Sequence, residues 1–198
     1  MIDHLDSPYF KSPDYYNMDN TSSRLILKKF KTVQQSTEVT CGACAVLMVL
    51  KYFGINKYSE EKLAKYLNTS KNGTSLRSIV KLFNKLGFKC FSSLEHSKFK
   101  NYKQFRKFVI KLLKKKIPII VENVDWGGHW RVIIGIDVMS KKSTLDDTLI
   151  LADSYNTHNH NQDGFMVENA EKFFSMFFDH NLLPEDEREQ PWVIAFPN

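Results

Sequence analysis

Residues 35–54 read QSTEVTCGACAVLMVLKYFG, and the change of character at Cys41 decides how the rest of the chain is understood. Ahead of it the residues are mostly polar. From Ala43 to Phe53 the chain is apolar apart from Lys51 and Tyr52, with no Pro or Gly until Gly54. That length and composition predict a helix, with Cys41 at its start. A helix N-terminus carries roughly half a positive charge, which favours a thiolate over a thiol. Gln35 stands six positions before the sulfur and can reach back to donate a hydrogen bond to an oxyanion forming there. Gly42 is expected to leave room for a substrate chain beside the sulfur. These are the requirements of a thiol nucleophile.

Such a nucleophile needs a His and a carboxylate or amide, distant in sequence and close in space. Gly127-Gly128-His129-Trp130 leads into the β-branched run Arg131–Ile136, which reads as a strand. A second run, Thr148–Ala152, ends on Asp153. If the two form a hairpin, His129 and Asp153 become neighbours, and the carboxylate can hold the imidazole in the useful tautomer. The paired glycines imply a close approach to the backbone. Trp130 is expected to roof the imidazole or pack in the sheet. Asp125 and Trp126 are expected at a cleft wall, with Glu122 and Asn123 as nearby supporting groups of unassigned role.

Gln35, Cys41-Gly42, Gly128-His129-Trp130 and Leu151-Ala152-Asp153 together resemble the bacteriocin-processing, double-glycine-leader cysteine peptidases of the papain-like superfamily. The resemblance runs from about Phe30 to Phe178. It implies a papain-like α+β fold, a helical half carrying the nucleophile and an antiparallel β-sheet carrying His and Asp. It also implies roles: Cys41 as nucleophile, His129 as base, Asp153 as orienting acid and Gln35 as oxyanion donor. The implied activity is hydrolysis of a peptide bond in a peptide or protein substrate, with no cofactor. Many members are joined to a membrane transporter, and no segment of these 198 residues reads as one.

Two other uses of the same site stay open at this level. A papain-like thiol acyltransferase, of transglutaminase or phytochelatin-synthase type, shares the acyl-enzyme and differs only in the acceptor. A non-catalytic scaffold could bind peptides in the groove. Cys41-Gly42-Ala43-Cys44 is also a C-x-x-C motif, which suggests thioredoxin-like redox chemistry when an apolar strand precedes it. Here the preceding residues, QQSTEVT, are polar. Cys44 is expected to pack one turn into the helix, within reach of an oxidised Cys41. His158, His160 and Asp163 form a possible metal-binding group, though their Asn- and Gly-rich setting reads as a loop.

Composition sets the outer bounds. Fifteen Phe and eight Tyr supply ample core material for one domain. No window approaches the roughly 18 apolar residues of a membrane span, and the first twenty residues lack the basic and apolar parts of a secretory signal. Three cysteines leave one unpaired in any disulfide scheme, so free thiols and a cytoplasmic location are expected. The net charge of +6 is concentrated in Lys98–Lys116, with an acidic counterweight at Glu185–Glu189. The apolar spacing of Phe105, Phe108, Val109, Leu112 and Leu113 makes the basic stretch an amphipathic helix with a solvated outer face. No nucleic-acid motif accompanies the charge, so no nucleic-acid partner is expected.

The expected organisation is an N-terminal arm, 1–23, and one domain, 24–198, with a helical lobe at about 41–116 and a β-rich lobe at about 117–198. Helices are expected from Ser59 to Leu67, from Thr74 or Ser75 to Leu86, from Tyr102 to Lys116 and from about Asn169 to Phe178. Strands are expected at 24–31, 89–92, 119–123, 131–136, 148–152 and 192–196. Met139–Asp147 reads as a long hairpin loop.

Overall fold

Position by position, the apolar periodicity becomes a mixed fold in which one antiparallel sheet carries the helices. The computed structural model describes residues 13–139, 143–156 and 162–198. Among these, strand β1 (Arg24–Ile26) precedes helices α1 (Cys41–Tyr52), α2 (Glu60–Tyr66) and α3 (Leu76–Lys85). Strand β2 (Phe88–Ser92) and helix α4 (Tyr102–Lys114) follow, then β3 (Ile119–Asn123), β4 (His129–Asp137), β5 (Thr148–Ala152) and β6 (Phe165–Asn169). Helix α5 (Ala170–Ser175) and strand β7 (Trp192–Pro197) complete the order. The sheet runs β2-β7-β3-β4-β5-β6, all neighbours antiparallel, and β1 pairs with the far half of β4. No described helix is long and apolar enough to cross a membrane.

Helix α1 is the core of the molecule. Every residue from Cys41 to Leu50 is buried, and the helix packs on β4 and α2. Each fully buried Leu, Met or Val there contributes about 1.5–3 kcal/mol relative to exposure. The other helices are held by ordinary signals. Ser59 caps α2 by accepting from Lys62 N–H, and Ser75 caps α3 by accepting from Ser78 N–H. Gly87, at φ 79°, turns the chain from α3 into β2. Helix α4 buries Tyr102, Phe105, Val109, Leu112 and Leu113 and leaves its lysines outside. Its Tyr102 hydroxyl and Arg106 Nε both bond Asp147 Oδ2, at 2.7 and 2.6 Å, and so fix the end of the loop before β5.

Three expectations change. Strand β1 stops at Ile26 rather than 31, because the chain turns away and Lys29 takes a left-handed φ of 56°. Strand β6 was not expected; its residues, FMVEN, have no clean alternation and become a strand by pairing with β5. Helix α5 ends at Ser175 instead of Phe178. Phe177 then drops into an aromatic cluster with Phe105 and Phe173, and Phe178 bridges to Glu189. Strand β2, from within the helix-rich stretch, bonds to β7, so one sheet draws on both halves of the chain.

Candidate active site

Cys41 is the first residue of α1. Its N-cap, Thr40, gives the helix no side-chain cap; the hydroxyl is engaged with Thr37 O at 3.1 Å and Thr37 Oγ1 at 3.0 Å. The first-turn N–H groups therefore keep their positive field for the sulfur. His129 opens β4, and Asp153 follows β5 with its N–H bonded to Gly164 O at 2.8 Å. Val132 pairs with Ala152, so Arg131 lies across from Asp153 and His129 lies one pleat further along the same face. The His–Asp contact is thus diagonal rather than directly opposite. His129 Nε2 meets Asp153 Oδ1 at 2.7 Å. The remaining ring nitrogen is left for Cys41, whose sulfur hydrogen-bonds to the imidazole.

The three groups are 6 %, 4 % and 0 % exposed, which makes their charge states depend on one another. Burial pushes the Cys41 thiol up, but the hydrogen bond and charge of His129, with the N–H groups of Trp130 and Gly42, bring it below its ordinary value. Burial pushes His129 down, yet its bonds to Asp153 and Cys41 raise it to about 9. Burial pushes Asp153 up, and His129, Arg131 and the Tyr155 N–H together hold it well below the usual carboxylate range. The shifts all run toward a thiolate, an imidazolium and a carboxylate.

Arg131, a residue without an expected role, is completely buried. Its Nε donates to Asp153 Oδ2 at 2.8 Å, its Nη1 to Asn123 Oδ1 at 3.0 Å, and its Nη2 lies 2.7 Å from Asp125 Oδ2. It fixes the carboxylate that fixes the imidazole. The signal was a lone charge within a β-branched strand, two residues from His129 and so on the same face. Asn123 does serve as a supporting group.

Gln35 borders the same cavity, of about 370 Å³, that Cys41, His129, Trp126 and Glu122 line. Its amide orientation is fixed by its partners. Ser154 Oγ donates to Oε1 at 2.8 Å, and Nε2 donates to the Thr37 carbonyl at 2.8 Å. A carbonyl can only accept, so the nitrogen must face Thr37. Backbone Gln35 N–H also bonds Ser154 O at 2.9 Å. Ser154 was not anticipated; it directly follows Asp153 and ties the Gln35 segment to the His–Asp hairpin.

Several expectations need correction. Gly42 does not make room for substrate: a Cβ there would lie 2.7 Å from Thr74 Cβ and 3.1 Å from Trp130 Cδ1. The helix needs Gly to pack against these groups. Of the two places expected for Trp130, it takes the packed one: it is buried within β4, donating from Nε1 to Thr74 O at 2.9 Å. The ring beside His129 is Trp126, edge-on with centroids 5.2 Å apart, and it meets Tyr155 in the same way. Trp126 is 58 % exposed and at φ 53°, a strained setting for a bulky residue at a cleft wall. The expected close approach at the glycine pair holds. Gly127 takes φ 91°, and a Cβ on Gly128 would collide with Asp179 Oδ2 and Glu122 Oε1.

Cys44 is buried, and burial together with the Glu60 charge pushes its thiol up. No strand immediately precedes Cys41, which removes the setting that redox use of the C-x-x-C pair requires. His158 and His160 lie outside the described residues.

The sequence model of the Peptidase C39 family matches residues 29–157. No curated protein matches the chain. Among solved structures, it is similar to the peptidase domain of Streptococcus ComA, a bifunctional ABC transporter involved in quorum sensing. The identity is 21 %, the coverage 85 % of this chain and 99 % of that one, and the TM-score 0.57. It is also similar to a double glycine motif protease from an AMS/PCAT transporter, in complex with the leader peptide. There the identity is 15 %, the coverage 90 % and 100 %, and the TM-score 0.55.

Proposed function

The chain belongs to the peptidase C39 family of papain-like cysteine peptidases, and from that premise we propose that it cleaves peptides through Cys41, His129 and Asp153, with Gln35 as an oxyanion donor. The observation that carries the reading is the meeting of thiol, imidazole and carboxylate beside one cavity, with the sulfur at a helix N-terminus. The thiolate attacks the scissile carbonyl, forming a C–S bond and sending the carbonyl electron pair to oxygen. The Gln35 amide hydrogen not given to Thr37, and the Cys41 N–H, donate to that oxyanion. The imidazolium of His129 passes its proton to the amine as the C–N bond breaks. Water then gives a proton to His129 and attacks the thioester, releasing the acid and restoring the thiolate. Asp153 holds the imidazole throughout, and Arg131 holds Asp153.

The substrate class we carry over is a leader-bearing peptide cut after a double glycine, because the related AMS/PCAT protease is described with that motif and bound to its leader. The test compares synthetic peptides holding Gly-Gly or Ala-Ala at the cleavage point, with iodoacetamide labelling in parallel. Wild type is expected to label at Cys41 at neutral pH and to cut the Gly-Gly peptide. Cys41→Ala is expected to do neither. Cleavage that survives Cys41→Ala overturns the mechanism, and equal cleavage of both peptides overturns the substrate class.

A further inference from the structure

Glu122, on β3, lines the Cys41 cavity, and no step above uses it. It is 2 % exposed, and its Oε2 has no hydrogen-bond partner among the described residues. A buried polar atom without a partner is costly, and in a binding cavity it marks where a ligand atom belongs. Asp179 stands beside it, since both carboxyls crowd the position that a Cβ on Gly128 would take. Asp179 Oδ1 accepts the N–H groups of Leu182 and Leu183, each at 2.8 Å. Burial, and then the charges of Asp179, Cys41 and Glu187, push the Glu122 carboxyl well above the usual carboxylate range and so favour its neutral form.

We propose that Glu122 is a substrate-binding residue whose carboxylic acid group hydrogen-bonds the peptide backbone of a chain lying in the Cys41 cavity. A neutral carboxyl offers both an O–H donor and a C=O acceptor, the complement of a peptide unit. Asp179 does not line the cavity, so a cation there would meet one carboxyl and not two. Backbone is therefore the better fit than a basic side chain. This rests on the peptidase reading and adds a contact to it.

The experiment measures Kd by calorimetry for the Gly-Gly peptide, in a Cys41→Ala background that cannot turn it over. Glu122→Gln keeps an uncharged donor and acceptor, and is expected to bind within about threefold of the parent. Glu122→Met, of similar volume, is expected to bind about tenfold more weakly, the usual cost of one lost hydrogen bond. Removing a partnerless buried carboxyl should not unfold the protein, and a thermal melt of each variant checks this. Parent-like affinity in the Met variant, a Gln variant as weak as Met, or no binding by the parent overturns the inference. Failure of the peptidase reading shows separately, as loss of Cys41 labelling and turnover in wild type.

Discussion

Asp153, bonded to His129, and Glu122, in the wall of the Cys41 cavity, are both buried carboxyls, and their surroundings shift them in opposite directions. Asp153 is met by an imidazole, a guanidinium and a backbone N–H, and it stays ionised although burial opposes this. Glu122 is pushed well above the usual carboxylate range by burial and then by the charges of Asp179, Cys41 and Glu187. Burial raises both; the partners of Asp153 overcome it, while the charges around Glu122 add to it. The carboxyl behind His129 is thus held toward its charged form, and the one in the cavity wall is pushed toward its uncharged form. Cys41 and Cys44 repeat the lesson within a single turn of α1. Both are buried, but only Cys41 touches His129, and only its thiol is brought down.

The strongest way to break this contrast is Asp153→Ala. The imidazole loses its acceptor, and turnover is expected to fall by about 10³-fold or more. Arg131 loses a charged partner while still buried, so unfolding free energy should drop by about 3–5 kcal/mol. Peptide cleavage kinetics and urea unfolding read the two effects. Unchanged urea stability would mean that Asp125 and Asn123 already satisfy the guanidinium. Next in size is Gly128→Ala, which acts beside Glu122. The added methyl would meet both Asp179 and Glu122, and overpacking of this kind costs about 1–3 kcal/mol. A melt equal to wild type would show that the two carboxyls part easily, and that the pair is not held as described.

The surroundings of Asp153 were more legible in the sequence than those of Glu122. Cys41 announced itself through the switch from polar loop to apolar helix, and His129 and Asp153 through their places at the ends of two β-branched runs. Local pattern carries that information, because hairpin strands fix their own register. Arg131 stood in the same pattern, a lone charge two residues from His129, and its parity was enough to place it on that face. Nothing local marked Asp179. It lies beyond α5, and only the packing of that turn against Gly128 brings it to Glu122. The same limit explains Gly42, whose small size serves contact with Thr74, over thirty residues away, rather than space for substrate. Strand β6 was missed for a related reason: its partner β5, more than its own alternation, makes it a strand.

The smallest effect, and the one that separates the two carboxyls most cleanly, lies in the pH dependence of stability. Asp153 is held below its unfolded value, so its contribution is complete above about pH 4 and is lost as pH falls through the lower folded value. Glu122 has the opposite sign. Its folded value lies above 4.5, so the folded protein keeps a proton that the unfolded chain gives up. Stability must then decline as pH rises above about 4.5, by no more than about 1.4 kcal/mol per pH unit for one proton. His129, raised to about 9, contributes fully below about pH 6.5 and loses that contribution as pH climbs through 9. Glu122→Gln removes only the Glu122 part, because Gln does not titrate, while His129 and Asp153 remain in both proteins. The difference in unfolding free energy between Glu122→Gln and wild type should therefore move steadily in favour of the variant as pH rises from 5 to 7. A difference that stays flat over that range would mean that Glu122 ionises in the folded protein, and its contrast with Asp153 would be lost.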